Sequence, residues 1–141
     1  MSKNMDQKRA SFALELVAPI NDKTKADELK THSAKLIALI QNSGFLQAMD
    51  FAESKMDTLH RHIQSWFAKE PPDGPGLSEN MRNAAAADNR LNSFLAEMTD
   101  RNEYRRAMQE AVAFLGWLKS KAEGKRNELK AQQNQAAEGE G

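Results

Sequence analysis

A chain of 141 residues with 20 basic and 20 acidic side chains has no net charge, which excludes a molecule-wide basic field of the kind that binds nucleic acid indiscriminately. It contains no cysteine, which excludes a disulfide framework, a thiolate metal site and a Cys nucleophile. Its length fits one domain that buries about two-thirds of its unfolded surface without covalent staples. The start, MSKNMDQKRA, lacks the apolar core of a signal peptide. No apolar run approaches the roughly 18 residues of a membrane span. The expectation is a soluble, cytoplasmic protein.

β-branched residues are scarce and no segment alternates like a strand, whereas apolar periods near 3.6 recur. Six helices are expected. The first spans about 3–18, with Met5, Phe12, Ala13, Leu16 and Val17 on one face and Pro19 ending it. The second spans about 25–42, opened by a Thr24/Asp27 capping box and closed at Gly44 in a left-handed cap. A third, about 45–55, buries Phe45, Leu46, Met49 and Ala52. A fourth, capped by Asp57, turns Leu59, Ile63, Trp66 and Phe67 inward. These two read equally as one bent helix.

The stretch EPPDGPG, residues 70–76, excludes helix and strand and marks a loop between two helical halves. Each half is small for a core of its own, so residues 1–130 read as a single helical domain. Ser78 caps a fifth helix running to about Met98. In it, Ala84 to Ala87 favour helix but bury little, while Leu91, Phe94, Leu95 and Met98 pack. Asp100 with Glu103 caps the sixth and longest helix, to about Lys130. The polar tail 131–141 is expected to be disordered. The fold class is all-α, a compact domain with a long C-terminal helix.

Catalytic chemistry finds little support. His60 and His62, two apart on a helix, point about 200° apart and cannot grip one metal. No HExxH or Glu-x-x-His pair and no Gly-rich phosphate loop occurs. All three histidines, His32 included, read as solvated surface residues. Glu110 lies in an apolar stretch four positions after Arg106, where an ion pair within the helix is the expected outcome. A buried hydrogen bond is the alternative. No catalytic residue, metal or cofactor is expected.

Charge is nonetheless uneven: +2 over residues 1–42, −3 over 43–99 and +4 over 101–130. On a helical wheel of the sixth helix, Tyr104, Met108, Ala111, Leu115, Leu118, Ala122 and Leu129 form a core arc. Arg101, Arg105, Lys119, Arg126 and Lys130 form a narrow basic arc along one edge, interrupted by Glu123. It is either a solvated flank or a stripe that tracks phosphates. Phe114 and Trp117 fall mostly off the core arc. They fit a buried core, a protein contact or base stacking, and Trp117 is the candidate subunit contact.

Two segments carry a family resemblance. Residues 37–55, IALIQNSGFLQAMDFAESK, and 104–122, YRRAMQEAVAFLGWLKSKA, resemble the small helical subunit of the type III-B CRISPR effector, the Cmr complex. The matching positions are Ile40, Asn42, Gly44, Phe45, Gln47, Phe51 and Lys55, then Tyr104, Arg105, Glu110, Phe114, Leu115, Trp117, Leu118 and Lys119. Gln7, Arg9, Ala10 and Ala13 are similar too. Ser43, Asp50 and Met108 depart from the pattern, and residues 70–99 carry none of it.

The resemblance implies a non-catalytic subunit whose copies stack as a short filament beside the crRNA-bearing backbone and hold target RNA against the guide. Its partners would be the backbone subunit, the large polymerase-like subunit, copies of itself, crRNA and target RNA, with no membrane or small-molecule substrate. Candidate RNA-binding residues are Lys8, Arg9, Lys55, Arg101, Arg105, Lys119, Lys121 and Arg126. Lys121 enters through the family-like Leu-Lys-x-Lys pattern. The acidic middle could meet a basic end of the next copy. The alternatives are a helical adaptor that binds only protein, a small subunit of a related type III-A complex, and, more remotely, a small helical nuclease.

Overall fold

A computed structural model describes residues 3–140, and these form seven helices and no strand. Helix α1 (Met5–Val17) opens with a complete capping box. The Asn4 side chain accepts from the Gln7 N–H at 2.8 Å, and the Asn4 N–H donates to the Gln7 side chain at 2.9 Å. Helix α2 (Lys23–Ser43) starts earlier than the Thr24/Asp27 reading. Asp22 is its cap, accepting from the Thr24 N–H. Gly44 does end α2, at φ 95° and ψ 159°. This is a positive φ with an extended ψ, not the expected left-handed helical cap, and it is a region essentially restricted to glycine.

Helix α3 (Phe45–Lys55) and α4 (Asp57–Ala68) are separate, divided by the single non-helical residue Met56, which precedes Asp57 as the cap of α4. Gly44 gives α3 no capping side chain. Instead the Tyr104 hydroxyl reaches across and accepts from the Leu46 N–H at 3.0 Å.

The expected fifth helix is two: α5 (Glu79–Ala86) and α6 (Leu91–Glu97). Ala87 is extended and Asn89 stands at φ 60°. The DNR segment offers turn-forming side chains that compete with the helix. The alanine run is no idle spacer either, since Ala84 and Ala85 are buried. Ser78 caps α5 through the Met81 N–H, as expected.

Helix α7 (Arg101–Glu140) is the axis of the fold. Asp100 accepts from the Asn102 and Glu103 N–H groups, while the Glu103 carboxylate turns away to the Ser78 hydroxyl. The helix continues past Lys130 to Glu140, where the tail was expected to be disordered. Ala, Gln and Glu sustain helical backbone there without packing, and residues 131–139 are exposed.

Helix α1 lies along α7 in the same direction and α2 runs antiparallel to it. Arg9 meets Glu110 and Lys125 reaches the Ala18 carbonyl on one side, while Asp27 meets Arg126 on the other. Helix α4 completes the core. Trp66, Phe12 and Phe114 form a three-ring cluster, with Trp66 5.5 Å from Phe12 and 5.4 Å from Phe114 (14° between planes) and the two phenylalanines 6.0 Å apart. Phe114 is therefore wholly buried, contrary to its off-arc place on the wheel. The reason is that α7 is packed on more than one side, by α1 and α2 together. Leu129, by contrast, lies beyond the bundle and is half-exposed.

Candidate nucleic-acid interface

Arg101 and Lys119 are 18 positions apart, five whole helical turns, so they share one azimuth on α7 about 27 Å apart along its axis. Arg105 lies one turn beyond Arg101. All three are exposed, and among the described residues none has a hydrogen-bond or ion-pair partner. Lys130 is exposed on the same edge, on the projecting part of the helix. The edge is cationic because nothing beside it answers its charge.

The other candidates lie elsewhere. Arg126 is half-buried and donates to Asp27 at 3.1 Å, beside a Lys30–Glu123 pair at 3.4 Å. Its charge closes α7 onto α2. Arg9 is engaged inside the fold. Its Nε donates to Glu110 Oε2 at 2.7 Å, its Nη2 to Oε1 at 2.8 Å and its Nη1 to Asp6. The Glu110 hydrogen bond, against some desolvation, holds the guanidinium more firmly protonated than a free arginine. Lys8 lines a polar cleft of about 280 Å³ with Lys3 and Lys69. Lys55 is exposed at the end of α3. Lys121 lies 5.8 Å from the Trp117 ring. Trp117 itself is half-buried against the core, its Nε1 3.5 Å from Asp6.

Glu110 does not pair with Arg106. That arginine donates to the Pro75 carbonyl in the proline-rich loop. Glu110 is buried and also accepts from Trp66 Nε1 at 2.9 Å. The signal available in the sequence was its apolar setting. A carboxylate there needs several donors, and one helical neighbour cannot supply them.

His60 is likewise not on the surface. It is 2 % exposed, and its Nε2 lies 3.0 Å from Asn92 Oδ1, while Asn92 Nδ2 donates to Asp50 at 3.0 Å. This chain ties α4 to α6 and α3. His62 is half-buried beside Leu16, Leu29 and His32, and burial pushes its pKa below the usual histidine value. Among the described residues no group of His, Asp and Glu is placed to hold a metal ion. No described helix is long and apolar enough to cross a membrane.

An all-helical chain with a long C-terminal helix, a caged glutamate in the third turn of that helix and a free basic edge agrees with the family motifs at 37–55 and 104–122. The model of the family CRISPR-associated protein (Cas_Cmr5) matches residues 5–125. The chain belongs to this family of CRISPR-associated small subunits of type III-B Cmr complexes. No curated protein and no solved structure matches it.

Proposed function

We propose that the protein is a non-catalytic, cytoplasmic small subunit of a type III-B effector. Its copies stack beside the crRNA-bearing backbone, and the free edge of α7 holds the target RNA–guide duplex by its phosphates. The observation that carries the RNA reading is the unanswered charge of Arg101, Arg105 and Lys119 along one edge of α7. Guide pairing supplies the sequence information, so the protein needs only cations spaced along a strand. Lys55 and Lys8 are additional candidates on other surfaces. Arg9 and Arg126 contribute to this face only indirectly, by holding α7 in place. A neutral subunit with a cationic edge adds grip only where the assembly brings RNA to it, which suits an accessory role.

The test is replacement of Arg101, Arg105 and Lys119 together by alanine, with target capture by the assembled complex measured over a salt series. Loss of three phosphate contacts lowers affinity and reduces the slope of log K against log salt by roughly 2. Unchanged capture and slope overturn the reading.

A further inference from the structure

A groove of about 450 Å³ runs between the end of α6 and the first two turns of α7. Its walls are Leu46, Leu95, Met98 and Met108 with the ring of Tyr104. That ring is fixed at both ends: its hydroxyl holds the Leu46 N–H, and Phe45 packs edge-on to it at 5.7 Å and 71°. Arg101 and Arg105 stand on the rim without partners among the described residues. Asp100 also borders the groove, but its carboxylate is turned to the backbone N–H groups that open α7.

The other clefts differ in kind. The one beside His32 and His62 has an apolar floor, but Lys25 and Glu28 balance on its rim. The one beside His60 is polar throughout its rim, with Glu53, Asp57 and Asp88. Unlike these two clefts, the α6–α7 groove joins an apolar floor to cations that have no partner among the described residues. Such a site fits a ligand with a flat apolar face and a negative charge on either side, which is a nucleotide within a strand. A base stacked in a duplex has no free face to offer. Methionine thioethers and a clamped tyrosine ring give polarisable contact that does not depend on base identity.

We propose that this groove seats one unpaired base of single-stranded RNA while Arg101 and Arg105 hold its flanking phosphates. The proposal rests on the RNA-holding role proposed above and adds to it a base seat. It locates an interruption in pairing, or a strand end, at the start of α7.

The test uses the full chain within its assembled complex and target RNAs carrying 4-thiouridine or a single abasic site at successive positions. At one unpaired position, the photocrosslink is expected within residues 98–108, and the abasic site is expected to weaken capture about tenfold. Met98→Asp or Met108→Asp should abolish the crosslink. The abasic series leaves the protein unaltered, so a variant that fails to fold does not obscure the outcome. If Arg101 and Arg105 matter for capture but no abasic position does, the base seat is wrong and the backbone reading stands. If neither matters, both fail. A crosslink from this groove to another protein subunit instead of RNA also overturns the proposal.

Discussion

Arg9 and Glu110, 101 positions apart, meet in a two-point ion pair at 2.7 and 2.8 Å, and Trp66 adds a third donor to the same carboxylate. One buried side chain thereby joins α1, α4 and α7. Glu110→Gln removes the buried one of Arg9's two counter-charges and leaves only the exposed Asp6, in a setting where the arginine side chain is 18 % exposed. Urea denaturation should register a loss of about 3 kcal/mol. A double-mutant cycle with Arg9→Ala should give a coupling above about 1 kcal/mol. Independent effects would mean that the pair does not hold α1 in place.

Asn92 bridges His60 and Asp50. Asn92→Leu matches its bulk but strands the buried imidazole. The expected cost is about 1–3 kcal/mol, seen as a lower thermal midpoint. Asp50→Asn, on the exposed end of the chain, should cost well under half as much. Equal effects would argue against a buried His60–Asn92 bond as the main term.

Three glycines with open space around them respond oppositely to alanine. Gly116 and Gly124 lie inside α7, and an added Cβ at either would meet nothing within 4 Å. Alanine at each should stabilise by about 0.5–1 kcal/mol. Gly44 has equal room but stands at φ 95°, so alanine there should destabilise by about 1–3 kcal/mol. The opposite signs are read in one set of chemical denaturation curves. A stabilising Gly44→Ala would contradict the turn between α2 and α3.

Burial lowers the pKa of His62 from 6.5. A depressed histidine is neutral in both states above the unfolded value, so it costs nothing there. As pH falls through 6.5 the unfolded chain takes up its proton first. Stability is therefore lost progressively below about pH 6.5 until the folded pKa is reached. His62→Gln should flatten the decline in unfolding free energy between pH 7.5 and pH 5, measured beside wild type. His32 and Glu28 share the same cleft, so His32→Gln is the companion control. An unchanged slope in His62→Gln would remove His62 as the source.

Some local signals, where one side chain acts on its own backbone, were legible, although the caps of α2 and α4 are Asp22 and Met56 and not the expected Thr24 and Asp57. Gly44, Ser78 and Asp100 sit at helix ends as their types require, and the apolar periods of α2, α3 and α4 face the core. What the sequence concealed were relations across the fold. Phe114 looked marginal because a wheel assumes one buried face, whereas α7 is covered by α1, α2 and α4. His60 and Glu110 looked solvated or locally paired because their partners, Asn92 and Arg9, are 32 and 101 positions away. The break at 87–90 was hidden by strong helix formers on either side of it. Of the basic arc, Arg101, Arg105 and Lys119 are free, but Arg126 could be separated from them only once α2 was in place.

Helix α7 contributes Ala107, Ala111, Phe114, Leu115, Leu118 and Ala122 to a core whose other walls are built much earlier in the chain. During synthesis, α1, α2 and α4 therefore leave the ribosome with their apolar faces uncovered and wait for the last third of the protein. Closure is a late, long-range event in an otherwise local helical fold. A chain cut short before Arg101 would keep its helical sequences and lose the surface they pack on.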